Sequence, residues 1–420
     1  MHYANSSTPA PFHKAILESG ATTARAVLLP THPRHLIQFR EFLIATGLDG
    51  VPEDEVFSRL RKIPLDTIAR ASKHIWDLYE PSVTWPFQPV IDGPNALANS
   101  SQPTTDGPEP IIPDLPIQSW RKGSHLRIPV LTGYNANEGT VFIPSDANTN
   151  KDFRAFFKAL IPGFNSTDLD ELEKLYPDPV THVLGSYRSV PSDKGRQWAR
   201  LDAAYSHYAY ICPVLQTAHF LSNLSEASGD VQLPVYVYRF AAKGGWGTAN
   251  HGDEAPVVVH DVGFLERNGG MPGLKGVAEA MHSAWSGFVA SKNGTTGVAT
   301  KDETGGAGDV FGSGGLEWPE FKSPFSRDEA GQKSKDKRWL WGMWDGLPEG
   351  IARVMVFGEG NDERMGDEGK MKQGVAAQVK SLTKLEMEAC RFWWGRIELS
   401  QGLGRRDGEE AWEERIKAKL

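Results

Sequence analysis

The apolar positions of this chain fall into blocks that alternate between strand and helix periodicity. Ala15, Ile16 and Leu17 form a short strand-like run that ends in a loop. Leu36, Phe39 and Leu43 then share one helical face between His35 and Thr46, and Gly47 stops that helix. Pro52 opens a second helix with Val56, Leu60 and Ile63 at helical spacing. A third, Leu65 to Tyr79, places Leu65, Ile68, Ala69 and Ser72 on one side. The stretch from Trp85 to Gly93 reads as a strand entering a turn, and residues 94–112 as a loop rich in Pro, Ser, Thr and Asn. A short helix from Asp114 to Trp120 leads to Ile128, Val130 and Leu131, a buried strand that breaks into the turn residues Gly133 to Gly139.

Helical periodicity returns from Asp152 to Tyr176, carried by Phe153, Phe156, Phe157 and Leu160, then by Leu169, Leu172 and Leu175. Arg200 to Leu224 is a long helical stretch that Cys212-Pro213 should kink or split. Pro234 to Phe240 reads as a strand, and Val277 to Ala290 as a helix with Val277, Met281, Ala284, Trp285 and Phe288 on one stripe. Residues 292–315 are a Gly-rich surface loop, without the strand before and helix after that a phosphate-binding loop needs. Residues 326–338 are charged and solvated, a helix spans Leu382 to Ile397, and the tail 400–420 is charged. No internal repeat appears.

Composition narrows the class. At 420 residues, 23% charged and 40% apolar, the chain reads as an ordinary globular protein. A formal charge of −8, with no basic stripe, argues against a nucleic-acid partner. No apolar run approaches the length of a membrane helix, and the polar, proline-containing first residues do not read as a signal peptide. The cysteines, Cys212 and Cys390, lie far apart and are expected to be unpaired thiols, which leans toward a reducing compartment. Asn-x-Ser/Thr tripeptides at Asn5, Asn99, Asn165, Asn223 and Asn293 pull the other way.

The candidate chemistry lies in two loops. Glu138 follows the strand that ends near Gly133, and His251 follows the strand that ends at Phe240. Open α/β sheets keep their sites just beyond the carboxyl ends of strands. An acid can fix the tautomer of a histidine, which can then act as general base toward a nucleophile. Taken singly, Glu138 reads as a loop or cap carboxylate and His251 as a surface or core histidine. Glu254 reads equally as a supporting acid or a solvated one. Trp246 and Phe264 flank the histidine and suit either a pocket wall or the core. The twelve histidines show no zinc spacing, so no metal and no organic cofactor is expected.

Gly133-Tyr-Asn-Ala-Asn-Glu138-Gly139 resembles the acid loop of the type B carboxylesterase family, the α/β-hydrolases that include cholinesterases and fungal lipases. His251-Gly-Asp-Glu254 resembles that family's histidine loop, and the acid precedes the histidine as in the family order Ser, Glu, His. The Pro-Val-x-Asp-Gly at 89–93 and the helix carrying Asp202 and Ile211-Cys-Pro213 resemble the family too. The likeness covers roughly residues 10–320, and the whole chain is expected to form one domain, 1–420. It implies an α/β-hydrolase fold, with a mostly parallel sheet and helices on both faces. It also implies a small-molecule carboxylic ester as substrate, with Glu138 and His251 as two parts of a Ser-His-Glu triad. The family often has a disulfide in the region matching Leu48 to Arg59; here Gly47-Leu48 and Arg59-Leu60-Arg61 stand there instead.

One part of the pattern is missing. No Gly-x-Ser-x-Gly occurs anywhere in these residues. Phe12 to Gly20 resembles the segment that follows the family's nucleophile elbow, so the sequence reads as starting just after it. Ser19 lacks the first elbow glycine and is assigned no catalysis. The upstream loop that would supply much of the oxyanion hole is also lacking. The expectation is an ester hydrolase by descent that is inactive or severely crippled as it stands. The alternative is a non-catalytic binding or adhesion module on the same fold. A sheet cut through its middle should also expose an aggregation-prone strand edge.

Overall fold

The computed structural model describes residues 11–24, 27–93, 110–123, 125–182, 187, 190–222, 233–244, 247–266, 271–291, 316–325, 349–364 and 371–400. The Gly-rich 292–315, the charged 326–338, most of the loop 94–112, the tail beyond residue 400 and Trp246 lie outside them. In chain order the elements are β1 (Ala15–Glu18), α1 (Pro33–Ala45), α2 (Glu53–Leu60), α3 (Leu65–Tyr79), α4 (Pro116–Lys122), β2 (Val130–Asn135), α5 (Asn150–Leu160) and α6 (Ser166–Leu175). There follow α7 (Trp198–Ser206), α8 (Cys212–Ser222), β3 (Val235–Phe240), α9 (Ala255–Val258), α10 (Val262–Leu265), α11 (Pro272–Ala290), β4 (Arg353–Glu359), β5 (Val375–Ser381), α12 (Lys384–Trp394) and α13 (Ile397–Ser400).

The strands form one sheet in the order β1-β2-β3-β4-β5. The first four are mutually parallel, and β5 returns antiparallel along β4. Parallel neighbours require crossovers, and helical segments supply them between β1, β2 and β3. Both β2 and β3 are buried almost throughout, as strands covered on both faces must be. Tyr236, Tyr238 and Phe240 join the core cluster of α11, built on Val277, Met281, Ala284, Trp285 and Phe288. Val235 and Val237 alternate to the other face, where α8 packs. Gly133 allows this closeness: a Cβ there would lie 2.1 Å from the Tyr238 ring.

The chain divides into two compact units: residues 1–24, 120–141 and 201–396, which hold the sheet, and residues 25–119, 142–200 and 397–420. In the second unit the predicted apolar faces need correction. Leu36, Phe39 and Leu65 are exposed. Helix α1 instead buries Gln38, whose Nε2 donates to Thr84 O at 2.8 Å, and α3 buries Ala71 and Ile75. The run from Trp85 to Gly93 forms no strand, only a single bridge between Leu28 and Val90, since Pro86 and Pro89 remove ladder donors. The predicted 152–176 helix is two, each opened by a capping box on Thr149 or Asn165 and parted at Pro162-Gly163. Near the sheet's far side, β4 and β5 occupy a stretch where the sequence reading placed no strand.

The long stretch 200–224 is interrupted as Pro213 predicts, but the interruption lies one turn earlier. Residues His207–Ile211 form a π-turn, which widens the helix by one residue before Cys212. The proline lacks the N–H that would close a regular α-turn. Cys212 and Cys390 are not free thiols: they form a disulfide between α8 and α12, with Cα atoms 4.9 Å apart. Sequence spacing hid this, because 178 positions separate two residues that the packing of α12 on α8 brings together.

Candidate active site

Three chain segments leave the carboxyl ends of adjacent parallel strands at the same edge of the sheet. Ser19 follows β1 directly, Glu138 lies in the loop after β2, and His251 lies in the loop after β3. Parallel pairing in register, Glu18 opposite Gly133 and Asn135 opposite Phe240, is what lines these loops up.

Glu138 is fully buried. Its Oε1 accepts the Asn135 main-chain N–H at 2.7 Å and the Ser19 hydroxyl at 2.5 Å. Its Oε2 lies 2.6 Å from His251 Nδ1. A buried carboxylate needs compensation of this kind, because taking it from water without partners is prohibitive. With Nδ1–H donated to Glu138, the neutral imidazole carries its lone pair on Nε2. The His251 side chain is 35% exposed, so this ring stands at a boundary between core and solvent. Tyr210, in the π-turn, packs against it with ring centroids 4.5 Å apart and the planes tilted by 37°.

Main-chain and side-chain bonds tie the acid and histidine loops to each other. Asn137 and Asn250 form a parallel bridge, with Asn137 N–H donating to Ala249 O at 2.9 Å. Asn135 Nδ2 donates to Asn250 O at 2.6 Å, and Thr140 Oγ1 to Asn250 Oδ1 at 2.6 Å. Asn135 Nδ2 also donates to Glu254, which settles the two readings of that residue: Glu254 is buried, not solvated. Burial pushes its carboxyl up to about 7 against the bond from Asn135. Asp202 holds the other flank, accepting from Gly139 N–H at 2.9 Å and Asn137 Nδ2 at 2.7 Å. Burial raises it to about 6. Gly139 is required here, because a Cβ would meet Asp202 O at 2.8 Å.

The two residues singled out from sequence therefore meet. Several residues around them were missed or undervalued. Ser19, which the sequence reading assigned no catalysis, donates its hydroxyl to the Glu138 carboxylate. It also sits at φ 52°, a left-handed conformation that a non-glycine residue adopts at a cost. Its place directly after a short strand was the available signal. The pair Asn135 and Asn137 was legible only as turn chemistry, and nothing in the sequence pointed to Tyr210. Phe264 lies within the short α10 and packs against the core cluster of α11. Among the described residues no group of three or more His, Cys, Asp or Glu side chains gathers as a metal ion would need.

The profile described as Carboxylesterase family matches residues 1–327. Secreted lipase 4 of Gibberella zeae is 31% identical over 213 residues, 50% of this chain and 35% of that protein. The inactive carboxylesterase-like protein VdtD of Byssochlamys spectabilis is 24% identical over 234 residues, 54% of this chain and 36% of that one. Lipase 4 of Diutina rugosa is 31% identical over 210 residues, 48% and 34% of the two chains. The chain thus spans about a third of the length of the relatives it matches. Among solved structures, Aspergillus niger EstA superposes with a TM-score of 0.59 at 18% identity, covering 95% of this chain and 61% of that one. That likeness speaks for the fold, an α/β-hydrolase sheet with helices around it.

Proposed function

The chain belongs to the carboxylesterase family, and on that footing we propose that Glu138 and His251 are the acid and base of a Ser-His-Glu acyl-transfer site for small-molecule carboxylic esters. The observation that carries this reading is the 2.6 Å bond between buried Glu138 and partly exposed His251, both beyond the carboxyl ends of neighbouring parallel strands. In this mechanism a serine hydroxyl attacks the ester carbonyl and gives its proton to His251 Nε2. Glu138 holds the imidazole in the tautomer that can accept that proton, and its charge stabilises the imidazolium. His251 then protonates the leaving alcohol. Water repeats the steps in reverse and frees the acid. No metal or organic cofactor takes part.

The serine is the part this sequence does not carry in a Gly-x-Ser-x-Gly elbow. Among the described residues β1 pairs only with β2, so a strand bearing such an elbow has an open place beside β1. Without the nucleophile only weak residual catalysis survives in a triad enzyme. We therefore expect these 420 residues alone to be inactive or severely crippled. The same absence favours a second reading, a non-catalytic binding module that keeps the fold. Retention of the buried acid bonded to the histidine argues for the first.

The test is hydrolysis of a short-chain chromogenic ester by the chain beside a His251→Ala control. Equal, background rates in both are expected. A rate that vanishes only in the control would mean a nucleophile resides in this chain, and the account of the serine would fall. Joining an elbow-bearing strand to the amino end should then produce hydrolysis that His251→Ala removes. If it does not, the non-catalytic reading stands.

A further inference from the structure

Asn165 opens the tripeptide Asn165-Ser166-Thr167, an acceptor sequence for N-linked glycans whose other four copies lie outside the described residues. Most such tripeptides arise by chance, so the local geometry has to decide. Asn165 is the N-cap of α6, in an extended conformation at φ −92° and ψ −177°. Its Oδ1 accepts the Asp168 N–H at 2.9 Å, and its own N–H donates to Asp168 Oδ2 at 3.1 Å. This capping box uses the amide oxygen and the main-chain nitrogen and makes no use of Nδ2. Glycan attachment replaces one Nδ2 hydrogen and leaves the amide oxygen able to accept. The cap and the glycan therefore do not compete. Asn165 is half-exposed and Ser166 and Thr167 are exposed, so a bulky group leaves into solvent.

The second observation is independent and lies in the other unit. The Cys212–Cys390 disulfide is buried, with both cysteines inaccessible. Disulfides form and persist in oxidising compartments and are rare where thiols are kept reduced. Eukaryotic cells carry out N-glycosylation in the same oxidising lumen. We infer that this chain matures in an oxidising, glycosylating compartment and carries an N-linked glycan on Asn165. In the step itself, a lipid-linked oligosaccharide pyrophosphate supplies the sugar. A bond forms between Nδ2 and the sugar's anomeric carbon, the bond from that carbon to the pyrophosphate oxygen breaks, and the Nδ2 proton is lost to a base of the transferase. The inference does not depend on the ester chemistry.

The test expresses the full chain through the secretory route of a eukaryotic host. Glycans are then released enzymatically in heavy-oxygen water, which marks each formerly glycosylated Asn as labelled Asp, and the peptides are mapped by mass spectrometry. The expected result is labelled residue 165 in most molecules, together with an oxidised Cys212–Cys390 pair. Thr167→Ala should lose the label at 165 completely while keeping the cap, the disulfide and the melting temperature, and Thr167→Ser should retain it. An unlabelled Asn165 in a secreted, disulfide-bonded product would overturn the glycan assignment. Free thiols at both cysteines in the folded product would overturn the compartment.

Discussion

At the scale of residues, the site is a problem of partners for buried polar groups. Glu138 is fully buried and divides its two oxygens among Ser19, Asn135 and His251. Ser19→Ala removes one donor and leaves a strained backbone, and should lower the unfolding free energy by about 1–3 kcal/mol. Ser19→Gly loses the same bond but relaxes the φ 52° backbone, so it should cost about 1 kcal/mol less. Denaturant midpoints compare the two, and equal losses would remove strain from the account. His125 presents a different case: it is buried against Trp120, and neither ring nitrogen has a partner among the described residues. Burial, then Arg127, lowers it from 6.5 to about 4. The native state favours the neutral ring, so this contribution is complete above pH 6.5 and is lost as pH falls toward 4. The loss approaches about 3 kcal/mol. The raised carboxyls Glu254, about 7, and Asp202, about 6, act oppositely, favouring the native state at low pH and losing that effect as pH rises through those values. His125→Leu should therefore shift the acid unfolding midpoint to lower pH, and Asp202→Asn should flatten the decline toward neutrality. Melting temperature as a function of pH measures both slopes.

Among the elements, the disulfide between α8 and α12 is the main constraint that sequence reading missed. It closes a loop of 178 positions, and removing a native bridge of this kind costs roughly 2–5 kcal/mol. Cys390→Ser should lower the melting temperature, whereas a mild reductant should act only slowly on the folded protein, because both sulfurs are inaccessible. Rapid reduction without unfolding would contradict the packing of α12. Trp394 reinforces that packing by donating its Nε1–H to Cys212 O at 2.8 Å, next to the π-turn that holds Tyr210 against His251. The helices whose apolar residues recur at one spacing were the legible ones: the stripe on α11 lies in the core as its periodicity required. On α1 and α3 periodicity misled. What those helices bury depends on their neighbours, and α1 met the carbonyl of Thr84, which called for a donor from Gln38 rather than an apolar face.

The whole sheet carries the last prediction. Among the described residues β1 has a partner on one side only, and an unpaired edge of a parallel sheet offers main-chain groups to any passing strand. Sedimentation velocity should reveal association that grows with concentration, and a strictly monomeric, cooperatively melting chain would count against an open edge. At this scale the sequence implied the class of fold through its resemblance to the carboxylesterase family. The alternating strand and helix blocks, and the Glu138 and His251 loops placed after strands, follow from period and turn chemistry, which are local properties of the chain. Tertiary structure alone decided the rest. The Cys212–Cys390 bridge, the Ser19 hydroxyl on Glu138 and the Tyr210 ring on His251 join residues far apart in sequence. Whether Glu254 was buried or solvated, and whether Leu36 was core or surface, depended on which neighbours folding brought near, and no local pattern encodes that. Burial and partnership belong to pairs of residues, whereas periodicity and loop motifs belong to single segments, and so the two candidate residues were legible from their loops while the residues that hold them were not.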